Sequence, residues 1–176
     1  MRVELPSLRI DNNVPMDALE LLTFEHQQQR EMCDALEYLA DTPVFDANLV
    51  FRLAELIRTQ LTLHMSDEEE LLFPLLRKRC APGDDVGAAL AQLNAEHETD
   101  MRLSAEVRVF LLDASEQAKP LSALPGAASA LRAFAQSQRR HISLENNSLI
   151  PLARRVLTED DCRRLAREIA ARRNAL

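Results

Sequence analysis

The chain has 176 residues, 47% of them hydrophobic, with no Trp, one Tyr and three Gly. That fits one domain with one sizeable core and excludes a sheet protein, which would need more turn glycines and more β-branched and aromatic residues. A net charge of −7 excludes the strongly basic surface of a nucleic-acid binder and argues against an acidic membrane as partner.

Residues 1–14 are expected to be a tail, with Val3, Leu5, Leu8 and Ile10 as packing points. Abundant Leu, Ala, Glu and Arg then favour helices throughout. Helix A is predicted from about Met16 to Ala40, with Asp17 and Glu20 as a capping box. Its inward face carries Leu19, Leu22, His26, Cys33 and Leu36. Asp41-Thr42-Pro43 ends it. Helix B begins near Asp46 and presents Val50, Leu53, Ile57, Leu61, His64, Glu68 and Leu72 on one face. Pro74 lies inside this pattern, so a kink or break is expected there. After the loop Ala81-Pro82-Gly83-Asp84, helix C runs from roughly Asp85 to Leu112, with Leu90, Leu93, His97, Met101, Ser104 and Leu111 on one stripe. Asp113 to Gly126 is the longest connection. Helix D spans about Ala127 to Val156, with Phe134, His141, Glu145 and Leu152 facing inward and Pro151 as a second kink. Thr158 and Asp161 cap a short helix E that ends near Arg173. The fold class is therefore all-α. An antiparallel four-helix bundle over residues 15–157 carries an extra C-terminal helix, 158–176, packed on it.

The short basic runs Arg77-Lys78-Arg79, Arg139-Arg140 and Arg163-Arg164 sit among acids and read as solvated faces. Cys33, Cys80 and Cys162 form no C-x-x-C pair and are expected to be free thiols. No apolar leader stands at the start, and no run reaches the ~18 apolar residues of a membrane span. A cytoplasmic location is the expectation.

The four His carry the informative pattern. HMSDEEELLFPLL at His64 is echoed by HISLENNSLIPLA at His141, each with Glu four residues on and Pro ten residues on. Earlier in each half a lone His follows a Glu, at His26 and at His97. The chain thus reads as two helix hairpins, each supplying His and then His-x-x-x-Glu. Residues i and i+4 share a helix face about 6 Å apart along the axis. A His there can bind one metal end-on while the Glu a turn away bridges to a second. Glu68 and Glu145 become the bridges, and His26, His64, His97 and His141 give two imidazoles to each metal. Mixed imidazole and carboxylate donors suit iron, and also manganese, cobalt or zinc. Within Asp67-Glu68-Glu69-Glu70 only the repeated i+4 spacing selects Glu68; by default the others are a solvated face. Glu25 and Glu96 point about 100° away from the neighbouring His, as exposed acids or as partners of a ligand. Cys33, Tyr38 and Met101 read as packing.

On these motifs the chain resembles the hemerythrin-like HHE cation-binding family over about residues 16–157. The order His, His-Glu, His, His-Glu and the Leu-Phe-Pro-Leu that follows Glu68 are the specific marks. The resemblance implies two iron ions with an oxo or hydroxo bridge, held by His26, His64, His97 and His141 as terminal ligands and by Glu68 and Glu145 as bridges. Leu93 and Met101 stand a turn either side of His97, so the fifth His of oxygen-carrying hemerythrins is absent. The four-His pattern is closer to bacterial members, including di-iron proteins linked to repair of iron–sulfur clusters after nitrosative or oxidative stress. Two imidazoles, two carboxylate oxygens and a solvent bridge give each iron five ligands and leave a position for O₂, NO or peroxide. The competing readings are an oxygen carrier or store and a metal-free signalling bundle. A ferritin-like oxidase would need Glu three residues before each His; Thr23, Leu61, Asn94 and Gln138 stand there instead.

Overall fold

The computed structural model describes residues 17–81, 83–84 and 86–174. The tail expected at residues 1–14 lies outside them, as do the expected helix starts at Met16 and Asp85. Among the described residues there are five helices and no strand. Helix α1 is Ala18–Asp41, α2 covers residues 47–79, α3 is Val86–Gln117, α4 covers residues 127–156, and α5 is Glu159–Asn174.

The first helix starts where its side chains satisfy its orphan backbone donors. The Asp17 carboxylate accepts from Leu19 N–H, and Glu20 reaches back to the Asp17 N–H. Asp46 caps α2 in the same way, accepting from Leu49 N–H at 3.0 Å. Each long helix then crosses between two apolar clusters. One holds Met32 and Leu36 of α1, Leu53 and Leu56 of α2, Val107 and Leu111 of α3, and Leu131 and Phe134 of α4. The other holds Leu19 and Leu22, Leu72 and Leu76, Leu90 and Leu93, and Leu149 and Ile150. Read in chain order, the four helices enter these clusters alternately, which makes the bundle up-down-up-down. α5 adds Leu165 and Ile169 to the second cluster.

Pro74 and Pro151 do not break their helices. Each follows a π turn, Glu68–Leu72 in α2 and Glu145–Leu149 in α4. There the Phe73 N–H bonds to the Glu68 carbonyl and the Ile150 N–H to the Glu145 carbonyl, five residues back rather than four. A proline ring clashes with the carbonyl four residues before it. The wider turn supplies the extra residue that lets the helix pass it. α2 has one further π turn, Ile57–Leu61, with no counterpart in α4.

Helix α3 runs five residues past the expected end. Asp113 to Gln117 contain no helix breaker, and Ala114 is buried in the first cluster. The helix stops where Ala118 takes a left-handed φ of 48°. Lys119 N–H then bonds to the Ala114 carbonyl and Ala118 N–H to that of Ser115, which is the Schellman arrangement. Glycine holds this position without the steric cost of a Cβ. Ala118→Gly is therefore expected to stabilise the protein by roughly 1 kcal/mol, measured by denaturant unfolding. A destabilised variant would contradict the assigned cap.

Candidate metal centre

Between the two apolar clusters lies a polar layer. His26 sits after Leu22 in α1, His64 after Leu61 in α2, His97 after Leu93 in α3, and His141 after Gln138 in α4. All four imidazoles are buried, and Glu68 and Glu145 have no exposed surface at all. The six residues predicted from the sequence are brought together in two groups of four. One is His26, His64, Glu68 and Glu145; the other is Glu68, His97, His141 and Glu145. Both groups share the same two carboxylates. Each π turn begins at its carboxylate, so the proline-driven widening of the helix falls at the residue that must face both groups.

The imidazoles turn Nε2 inward. His26 and His64 bring their Nε2 atoms to 3.2 Å, and His97 and His141 theirs to 3.1 Å. Two bare lone pairs cannot face each other at that distance without a proton or a metal between them. Nitrogens about 2.1 Å from one ion, at angles of about 90–110°, lie about 3.0–3.4 Å apart. The observed spacing fits that. Glu145 reaches His26 at 3.1 Å and His141 at 3.0 Å, and Glu68 reaches His97 at 3.4 Å and His64 at 3.6 Å. None of the four oxygens of these carboxylates has a donor in hydrogen-bond geometry. Buried, orphaned carboxylate oxygens beside inward Nε2 atoms form two adjoining donor groups that could each hold a metal ion.

The outward Nδ1 atoms are each tied down. His64 Nδ1–H donates to Glu25 at 2.9 Å and His141 to Asp100 at 2.9 Å. His26 donates to Asn146 at 2.8 Å and His97 to Glu69 at 2.6 Å. Fixing the proton on Nδ1 leaves Nε2 to face the centre. The pattern is crossed: the residue after each shared Glu, Glu69 or Asn146, holds the lone His of the opposite hairpin. Of the two acids preceding a lone His, Glu25 takes such a role and Glu96 does not, since Glu96 accepts from Gln92 instead. Asp100 occupies the inward place expected of Met101, which is exposed. Asp67 and Glu69, expected on a solvated face, are a buried acid and a His97 partner.

A model of the hemerythrin HHE cation-binding domain matches residues 17–153. The chain belongs to that family. No curated protein matches it. The three thiols are free, and Cys33 is packed in the first apolar cluster, where burial pushes its thiol up to about 12. No helix among the described residues is long and apolar enough to cross a membrane.

Charge in the metal-free layer is shared between the two kinds of donor. Burial disfavours protonated imidazoles, but Glu145 and Glu68 outweigh it and push His26 and His97 up to about 10. Against the same burial, Asp100 and Glu145 push His141 up to about 10. Burial would also raise the two carboxylates, yet the imidazoles hold Glu68 below its usual range and Glu145 well below it. A raised imidazole stabilises the fold fully below its unfolded value near 6.5 and loses that contribution as pH climbs toward 10. A depressed carboxylate contributes above its usual 4.5 and loses that contribution as pH falls. Thermal melts of the metal-free protein should therefore peak between about pH 4.5 and 6.5 and decline steadily to pH 10. A melting temperature that is flat from 6.5 to 10, or rises, would contradict this charge arrangement.

Proposed function

We propose that this chain is a non-haem di-iron protein that takes a small ligand, O₂, NO or peroxide, at a pair of iron ions. The observation that supports it most is that Glu68 and Glu145 belong to both donor groups at once. A lone metal needs no shared carboxylates; two metals held side by side do. When bound in such a donor set, iron supplies one-electron redox chemistry and an open coordination position. Manganese, cobalt or zinc could occupy the same donors.

The protein's own residues do the rest. His26 and His64 would hold one ion and His97 and His141 the other, with Glu68 and Glu145 shared between them. Leu22, Leu61, Leu93 and Leu72 are almost fully buried around the layer and keep bulk water from it. Phe73 stacks on the His97 ring at 5.8 Å and closes the side of that half. The Nδ1 acceptors keep the rings from turning and make the Nε2 atoms better donors. Three acids among those acceptors raise ligand basicity, which favours the more highly charged oxidation state.

Anaerobic loading with Fe(II) should give two irons per chain, because the donors divide into two equal sets sharing two bridges. Glu68→Ala should abolish the pair, whereas Glu70→Ala, an exposed residue, should leave two irons bound. Glu69→Ala removes the His97 acceptor and should weaken binding by about 10–100-fold. NO added to the ferrous protein should change its visible spectrum to saturation in the wild type and not in Glu68→Ala. A reproducible single iron in the wild type, or a spectrum indifferent to NO, would overturn the proposal.

A further inference from the structure

The C-terminal helix α5 lies outside residues 17–153, yet it reaches the layer behind one of the two donor groups. Its first turn is anchored. Thr158 and Asp161 exchange capping bonds, and Arg79 of α2 lies 2.8 Å from Asp161. Leu165 and Ile169 then bury themselves in the second apolar cluster. This docking delivers two arginines to the outer side of α1 and α2. Arg173 lies 3.0 Å from Glu25 Oε1 and 2.7 Å from Asp67 Oδ2. Arg172 lies 3.4 Å from Asp67 Oδ1 and 2.7 Å from Glu70.

Glu25 is buried, and each of its oxygens has a partner. Oε1 accepts from Arg173, and Oε2 accepts from His64 Nδ1–H. Asp67 has no exposed side-chain surface, and its ion pairs among the described residues are with Arg172 and Arg173. An unbroken line thus runs from the last turn of α5 through one carboxylate to a predicted metal ligand. The other half is built differently. Asp100 and Glu69 hold His141 and His97, and among the described residues neither pairs with an arginine or lysine.

We propose that Arg173 is a positioning residue for the His26/His64 half of the centre. Through Glu25 it holds the His64 ring with Nε2 toward the ion, so docking of α5 governs how firmly that one ion is retained. The proposal rests on the metal-centre reading above. Without Arg173, the buried Glu25 loses the guanidinium that holds its Oε1 and is free to turn from His64 toward water. Loss of an outer partner of a metal-bound imidazole weakens binding by about 10–100-fold. Here the loss falls on one ion of the two.

The test uses the full chain loaded with Co(II), in wild-type, Arg173→Gln, Arg173→Lys and Arg172→Gln forms. Arg172 shares the helix turn and Asp67 but does not touch Glu25, so its variant controls for loosened docking. Release to a chelator should be biphasic in Arg173→Gln, with one ion leaving about 10–100-fold faster and the other at the wild-type rate. Arg173→Lys should restore most of the retention, and Arg172→Gln should behave like wild type. In proton spectra of the Co(II) protein, the His64 Nδ1–H signal of Arg173→Gln should exchange faster with solvent, while those of His97 and His141 are unmoved. Equal acceleration of both ions, no acceleration, or the same effect from Arg172→Gln would overturn the Arg173 proposal. A wild-type chain that fails to hold two Co(II) would instead overturn the metal-centre reading itself.

Discussion

Two carboxylates sit in the middle of a helical bundle with no hydrogen-bond donor to any of their oxygens, and the rest of the structure is arranged around that fact. Burying an unpaired carboxylate costs several kcal/mol even after relaxation. Glu68 and Glu145 are tolerable only because cationic or metal-binding groups face them from every helix of the bundle. His26 and His97 come from α1 and α3, and His64 and His141 from one turn earlier on the same helices as the carboxylates. Without metal the two carboxylates face the His26, His97 and His141 imidazoles, which they push up to about 10. With metal the same donors have a stronger partner, and the native state gains by mass action.

The surrounding fold meets the needs of this layer in three ways. Apolar clusters on both sides along the bundle axis keep the layer dry and fix the register of all four helices. The π turns at Glu68 and Glu145 carry the chain past Pro74 and Pro151 without ending the helices. Both shared carboxylates are the first residues of those turns, so the widening begins at the site and ends at Leu72 and Leu149 in the second apolar cluster. The outer ring of Glu25, Glu69, Asp100 and Asn146 fixes each imidazole from behind. That ring is unequal. The His97/His141 half has two carboxylate acceptors, whereas the His26/His64 half has an amide and a carboxylate already engaged by Arg173. Two ions in this layer would not be equivalent, although the six donors themselves are arranged with near two-fold regularity.

The six inner residues were legible in the sequence because the duplication repeats them at fixed helical spacing, and i to i+4 is a property of any α-helix. The helices were legible for the same reason, with caps at Asp17, Asp46 and Thr158. The outer ring was less so. Glu69 and Asn146 occupy the same place in the two repeats, directly after the shared Glu, and that coincidence was a usable signal. Their chemical difference, an acid against an amide, hid it. Asp100 stands three residues after His97 and Met101 four; both spacings suit an inward face, and hydrophobicity pointed to the wrong one. Asp67 looked like part of an acidic surface run because its partners, Arg172 and Arg173, lie on a helix about a hundred residues later. The extension of α3 to Gln117 depended on burial of Ala114, which no local pattern reveals. The π turns at Glu68 and Glu145 were visible only as prolines, which mark a helix under strain without saying how it yields, and the one at Ile57–Leu61 left no such mark.

Anomalous scattering at the iron edge from crystals of the iron-loaded protein tests the account most directly. It predicts two peaks in each chain within the buried layer. One should lie between His26 and His64 and the other between His97 and His141, with Glu68 and Glu145 reaching both. A single peak, or peaks on the acidic surface while the buried layer stays empty, would contradict it.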